Sequence, residues 1–556
     1  MYFRPARNRE CALAKERGAQ GGSIMGYVGR VTFLVCLALV AAASCHAQAA
    51  GGIAPAQKCA DLVKLRIAGT NMQITKAEAV PTTPANTLRT PSLTPTFISV
   101  AIPPYCRVEG VIDPRTGVDG KPYAIGFELR LPDNWNRRFL QQGGGGLNGT
   151  IIPPLGMPGT GENPALARGF AVVSTDTGHR GAVFDASFMK DQVASLDFAY
   201  IAIGRVAVLS KEIIAQYYGQ PAKRSYFGGC STGGREGMMM SQRYPTYFDG
   251  IIVGDPAMRT GYSNIGLAYA RGAFAKIAPK DASGKPDPTK DFSDGDKTLL
   301  AESIMKTCDE KDGLKDGMIF NPQACQYDPA VLQCKGAKTD SCLTSQQVGA
   351  LQKAFVGPKD SHGNPVYARF PWDSDYVQGS GGPFMSFLPN AGPNILASVE
   401  QPTDVDIDTL AARVRANEEQ TLTDTTWTNL TSFFGHGGKL VFYHGTSDPV
   451  FSPFDTLAYY ERMAEANGGL DQVMNSSRFY LVPGMLHCEG GAATLDKFDL
   501  LGAVVDWVEN GKAPDSVIAT GKAFPGRSRP LCAYPRHAQY KGQGNPEDAG
   551  SFECVK

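Results

Sequence analysis

Gly229-Cys230-Ser231-Thr232-Gly233 is a G-x-S-x-G pentapeptide lying between a strand-like run at Tyr226-Phe227 and a Met-rich helical stretch. The flanking glycines permit a tight, strained turn that lifts a serine hydroxyl above the C-terminal edge of a sheet. At the start of the helix, the Thr232 N–H can help to hold a developing oxyanion. A glycine-rich turn without chemistry also satisfies the pentapeptide; the strand–turn–helix setting favours the nucleophile. A serine at neutral pH needs a base, usually histidine. Of seven histidines, His46 falls in the N-terminal leader, and His179, His362 and His436 precede any acid in the order Ser, Asp, His. His537 is away from any strand signal. His487 follows the apolar run 478–482, in a loop that a sheet edge would carry. Asp448, 39 residues earlier, follows the run 439–443 and can accept the imidazole Nδ1–H. Its plainer alternative is a turn or helix cap before Pro449.

Four consecutive glycines, 143–146, follow another strand-like run at 138–140. This is where a second oxyanion donor is expected, from Gly144 or Gly145, because glycine lets backbone N–H groups approach a carbonyl. A flexible turn would use the same residues. No Gly-Lys-Ser/Thr follows, which argues against a phosphate cradle. Cys230 adjoins Ser231 and Cys488 adjoins His487. If serine and imidazole meet, these cysteines come within the separation a disulfide needs. Further along, Asp309, Asp312 and Asp316 stand at the first, fourth and eighth positions of a glycine-containing loop. With the Leu314 and Met318 carbonyls turned inward they would suit Ca²⁺, though a solvated acidic turn is equally consistent with spacing alone.

The elements that must position these residues are legible in outline. A half-buried strand is expected at 123–131, a buried one at 170–174 and a helix over 193–218 ending near Gly219. Strand–helix alternation predicts a mainly parallel sheet covered by helices, an α/β-hydrolase fold. The texture changes after 258, and strand signals return at 439, so a large inserted lid domain is expected. The segments are a signal peptide over 1–49, hydrolase domain over 50–257, lid over 258–435 and hydrolase domain again over 436–556.

The chain has 556 residues, 42% hydrophobic, with Lys plus Arg equal to Asp plus Glu at 54 each. That balance gives no electrostatic reason to expect nucleic acid. From Met25, the expected true start, Arg30 leads into an apolar run at 31–43 and then small residues, as an export signal should. The run is too short to span a bilayer, and no other stretch reads as a membrane span. Lipid attachment at Cys45 is disfavoured by Ala42. Ten of the 13 cysteines lie beyond the leader, an even set that suits disulfides in an oxidising compartment. No C-x-x-C pair supports zinc.

Taken together, Cys230-Ser231, Asp448 and His487-Cys488 resemble the tannase/feruloyl esterase family, which includes a mono(2-hydroxyethyl) terephthalate hydrolase. The likeness spans roughly residues 55–556. It implies a serine carboxylesterase acting on small esters of aromatic, phenolic acids, secreted or periplasmic. It also implies a structural calcium held in the lid by Asp309, Asp312, Leu314, Asp316 and Met318. The disulfides it implies join Cys230 to Cys488, Cys59 to Cys106, Cys308 to Cys325, Cys334 to Cys342 and Cys532 to Cys554. Phe451 matches an aromatic position of the acid pocket, and Val450 and His444 are assigned to that pocket with it. The terephthalate enzyme holds its substrate's free carboxylate with a lid arginine. Between Arg369 and Arg413 this chain has none, which disfavours that specificity. The alternatives are a terephthalate-monoester hydrolase, a peptidase or amidase on the same fold, and a non-catalytic binding module.

Overall fold

A computed structural model describes residues 52–92, 95–287, 290–374 and 406–556. The expected signal peptide over 1–49, with Met25 as start, lies outside the described residues, as does the 375–405 part of the insertion.

Nine strands form one mixed sheet in the order β1-β2-β3-β5-β4-β6-β7-β8-β9. β1 (Met72–Val80), β2 (Tyr105–Thr116) and β3 (Pro122–Pro132) form an antiparallel wing, and β3 pairs antiparallel with β5 (Ala171–Thr175). From there β5, β4 (Arg138–Gln142), β6 (Arg224–Cys230), β7 (Gly250–Gly254), β8 (Lys439–Gly445) and β9 (Ser477–Val482) run parallel. Their side chains alternate between two cores. Phe139, Phe227, Ile251, Leu440 and Phe479 enter one, and their neighbours Leu140, Tyr226, Ile252, Val441 and Tyr480 enter the other. A two-residue period with both faces apolar requires cover on both sides.

That cover is helical. Residues 192–218 form α1 (Gln192–Leu196), a π-turn at Asp197–Ile201 and α2 (Ala202–Tyr218), closed by Gly219 in the left-handed conformation, φ 70°. The whole 27-residue stretch is long and apolar enough to cross a membrane, contrary to the sequence expectation, but 67% of its apolar window is buried inside the molecule. Its hydrophobicity is that of a core helix. α3 (Thr232–Arg243) packs on β6 and β7, as the helix Leu500–Asn510 does on β7 and β8.

The insertion lies between the paired strands β7 and β8. It holds α4 (Thr260–Ala275), α5 (Asp294–Cys308), α6 (Ser345–Val356) and the helix Ile407–Ala416. α5 and α6 each start on a capping box, Ser293/Asp296 and Thr344/Gln347. Beyond the large sheet, β10 (Lys497–Phe498), β11 (Ser516–Thr520) and β12 (Ser528–Cys532) form a small sheet, and β13 (His537–Tyr540) pairs with β14 (Phe552–Val555).

Candidate active site

In a parallel sheet the C-terminal strand ends share one edge, where ligands gather. Four polar residues follow those ends here: Ser231 after β6, Asp255 after β7, Asp448 after β8 and His487 after β9. Ser231 stands at φ 62°, ψ −123°, a conformation rare for a residue with a side chain. The turn is pinned at both ends. Ser231 N–H donates to Gly254 O, and Ser231 O accepts from Arg235 N and Ala257 N, each at 3.0 Å. Glycine at 229 is dictated by close approach, because a Cβ there would meet the Gly233 carbonyl oxygen at 2.4 Å.

His487 Nδ1 donates to Asp448 Oδ2 at 2.8 Å. Asp448 Oδ1 accepts from Val450 N at 2.7 Å and Phe451 N at 3.1 Å. Burial favours the neutral acid, yet the His487 and His444 imidazoles hold the Asp448 carboxyl well below the usual range. His487 moves upward: burial opposes its imidazolium, and Asp448 more than offsets that. A disulfide joins Cys230 to Cys488, Cα to Cα 5.9 Å, and so ties the Ser231 turn to the His487 loop. Ser231 and His487 line one cavity of about 580 Å³ together with Gly145, Leu147, Phe198, Val450 and Phe451. The Phe451 ring packs edge-on against His487 at 5.3 Å.

Two expected site residues have other work. The Gly144 N–H donates to Glu236 Oε2 at 3.0 Å, so it holds the glycine loop in place and is not a free oxyanion donor. Glu236 also accepts from Asn148 Nδ2 at 2.7 Å, which fastens both ends of the turn. Gly145 and Thr232 remain at the cavity wall, and Thr232 is the first residue of α3, where N–H groups have no partner within the helix. His444 was expected in the substrate pocket. It is instead fully buried behind Asp448, with Nδ1 3.0 Å from Thr456 Oγ1 and Nε2 3.0 Å from Phe451 O. Sequence reasoning missed Asp255, Glu236 and Asn264. Asn264 stands in the cavity wall with neither amide atom paired.

The acidic loop of the insertion folds on itself. Asp309 accepts from Asp316 N and Gly317 N, Asp312 from Leu314 N and Phe320 N, and Asp316 from Met318 N. Asp309 and Asp312 are buried, and burial together with Asp316 and Asp309 pushes Asp312 up to about 7. Carboxylates are the hard oxygen donors that a divalent cation takes, though these three do not bring their oxygens within 4.8 Å of one another. Among the described residues, clusters with ligand atoms within 4.8 Å of one another occur at Cys230–Asp255–Cys488 and Asp255–His444–Asp448. The sulfurs of the first are bonded to each other, and the second is the buried side of the His487–Asp448 pair.

Residues 106–555 match the family described as tannase and feruloyl esterase. The chain belongs to that family. A mono(2-hydroxyethyl) terephthalate hydrolase from Piscinibacter sakaiensis is 40% identical over 526 residues, covering 83% of this chain and 86% of that protein. Feruloyl esterase B of Aspergillus niger is 31% identical, covering 77% and 83%. The crystal structure of feruloyl esterase B from Aspergillus oryzae superposes with a TM-score of 0.70 at 28% identity, covering 88% of this chain and 98% of that one. Tannase and feruloyl esterase family members are carboxylic ester hydrolases, and this chain is one. All five disulfides implied by the resemblance are present: Cys59–Cys106, Cys230–Cys488, Cys308–Cys325, Cys334–Cys342 and Cys532–Cys554.

Proposed function

We propose that the chain is an exported serine esterase that hydrolyses esters of aromatic acids through an acyl-enzyme. The observation that carries this is the single cavity shared by Ser231 and His487, with Asp448 on His487 Nδ1 and a disulfide binding the two loops. Ser231 Oγ attacks the ester carbonyl while His487 Nε2 takes its proton; Nδ1 is committed to Asp448. The oxyanion rests on the N–H groups of Thr232 and Gly145. His487 then protonates the departing alcohol, and water releases the acid by the reverse roles. Leu147, Phe198, Val450 and Phe451 give the cavity the apolar and aromatic wall that an aryl acid would pack against. Five disulfides support folding in an oxidising compartment. Asp309, Asp312 and Asp316, with the Leu314 and Met318 carbonyls, would hold a structural Ca²⁺.

The test is turnover of methyl ferulate, methyl gallate, mono(2-hydroxyethyl) terephthalate and p-nitrophenyl acetate, each beside Ser231→Ala. The expected result is hydrolysis of at least one aromatic acid ester, reduced about 10⁴-fold or more in the variant. Turnover of p-nitrophenyl acetate alone would remove the aromatic-acid assignment and leave the serine mechanism.

A further inference from the structure

Asp255 and His444 are both fully buried, and no step of the proposed chemistry uses either. Asp255 sits at φ 34° directly after β7. Its Oδ1 accepts from Gly445 N at 2.9 Å, and its Oδ2 lies 3.5 Å from Cys230 Sγ, in the disulfide that links the Ser231 and His487 loops. His444 Nε2 lies 3.0 Å from the Phe451 carbonyl oxygen, which can only accept, so Nε2 carries a proton. The same Nε2 is 3.3 Å from Asp448 Oδ2 and 3.6 Å from Asp255 Oδ1. Asp448 Oδ2 is also the atom that receives His487 Nδ1. Two imidazoles therefore share one carboxylate oxygen, with a second carboxylate behind them.

We propose that Asp255 and His444 form a positioning pair for the reaction: His444 Nε2–H holds Asp448 Oδ2 alongside His487, and the Asp255 carboxylate sets the charge that both imidazoles feel. The proposal rests on the serine-esterase reading and adds to it two residues that touch no substrate. Their surroundings are otherwise close to neutral. Thr456 reaches His444 from the helix Pro453–Ala466, whose Asp455 is paired with Arg259. Tyr443 and Tyr367 are held well above their usual range by burial, so they stay uncharged, and Glu489 adds to the rise of Tyr443. Burial pushes Asp255 up to about 6, with His444 and His487 pulling the other way.

The signs of the two contributions are opposite. Withdrawing the His444 donor leaves Asp448 more basic and favours the His487 imidazolium, so the acid limb of kcat/KM moves to higher pH. Removing the Asp255 charge withdraws support from that imidazolium, so the limb moves to lower pH. A single charge at several ångströms, at an effective dielectric near 20, gives a shift of about two pH units.

The experiment is the pH profile of kcat/KM and kcat for the full chain on p-nitrophenyl acetate, for wild type, Asp255→Asn, His444→Asn and His444→Gln. An activated acetate keeps the result independent of which acid the cavity prefers. Opposite displacements of the acid limb, with kcat falling about tenfold in His444→Asn, KM steady, and rescue by His444→Gln, are expected. Displacements in the same direction, or none in variants with wild-type circular dichroism, overturn the pair. Should His444→Asn fail to fold, Asp255→Asn decides alone, since it keeps the acceptor for Gly445 N; an unmoved or raised limb overturns the proposal. The serine mechanism is judged separately, by loss of activity in Ser231→Ala.

Discussion

At the scale of single residues, Ser231 occupies a backbone region that costs a side-chain-bearing residue about 1–3 kcal/mol. Three backbone hydrogen bonds to Gly254, Arg235 and Ala257 offset that cost, and they form only if α3 follows β6 without a spacer. Glycine at 229 is the condition for this closeness. Gly229→Ala would drive a Cβ to 2.4 Å from a backbone oxygen that has nowhere to retreat. We expect it to lower stability by about 2 kcal/mol or more, read as a fall in the urea midpoint, and to lower kcat with it. A variant with wild-type midpoint and rate would show that the turn tolerates a shift. Ser231, Asp448 and His487 could be singled out because their types are few and their chain order is informative, and the structure sets His487 on Asp448 and in one cavity with Ser231. Gly144 and His444 were not read correctly, since their roles are set by distant partners. Glu236, which occupies Gly144, is 92 residues away in sequence, and Asp255 lies 189 residues before His444.

Among elements, the decisive contact is between two loops that belong to different strand ends. Cys230 closes β6 and Cys488 lies in the loop after β9, and their bond has a sequence separation of 258 residues. Chain-entropy reasoning gives such a crosslink about 5–6 kcal/mol as an upper figure. Its local effect matters as much, because Ser231 and His487 each sit next to a bridged cysteine. Replacing both cysteines by serine should lower the apparent melting temperature and cut kcat/KM about tenfold to a hundredfold, since small misplacements of catalytic groups are that costly. Loss of stability with undiminished kcat would mean that the loops are held in place by packing alone. The strands themselves were largely legible, as at 123–131, 170–174, 439–443 and 478–482. The antiparallel wing was not, because alternating apolar residues fix a strand and its buried face but leave the direction of its neighbour open. The π-turn at Asp197–Ile201 was likewise hidden within an apolar stretch that reads as one helix.

For the molecule as a whole, the acidic loop lies where the insertion meets the C-terminal sheets. Asp316 is paired with Arg529 of β12 and lies near Arg527, whose Nη1 donates to the Asp316 carbonyl at 2.7 Å. Gly313 lies so close to β13 that a Cβ would meet the Gln539 amide at 2.3 Å and the Tyr540 carbonyl at 3.4 Å. The arginines serve Asp316, while Asp309 and Asp312 are buried beside it and accept backbone N–H groups on their oxygens. If the proposed Ca²⁺ is there, chelation should loosen the insertion and the C-terminal strands together. Dialysis against EDTA is then expected to lower the apparent melting temperature, by roughly the 2.7 kcal/mol equivalent of a ligand held at 100 times its Kd. Hydrogen exchange should quicken in 309–320 and in β12 and β13 as well. Added Ca²⁺ should restore both, and Mg²⁺ at the same concentration should not, because the smaller ion demands a near-octahedral set of ligands. Asp312→Asn should show the EDTA behaviour without chelator. A metal-free protein that melts and exchanges like the untreated one would make the loop a junction between insertion and C-terminal sheets that needs no ion, held by the Arg529–Asp316 pair.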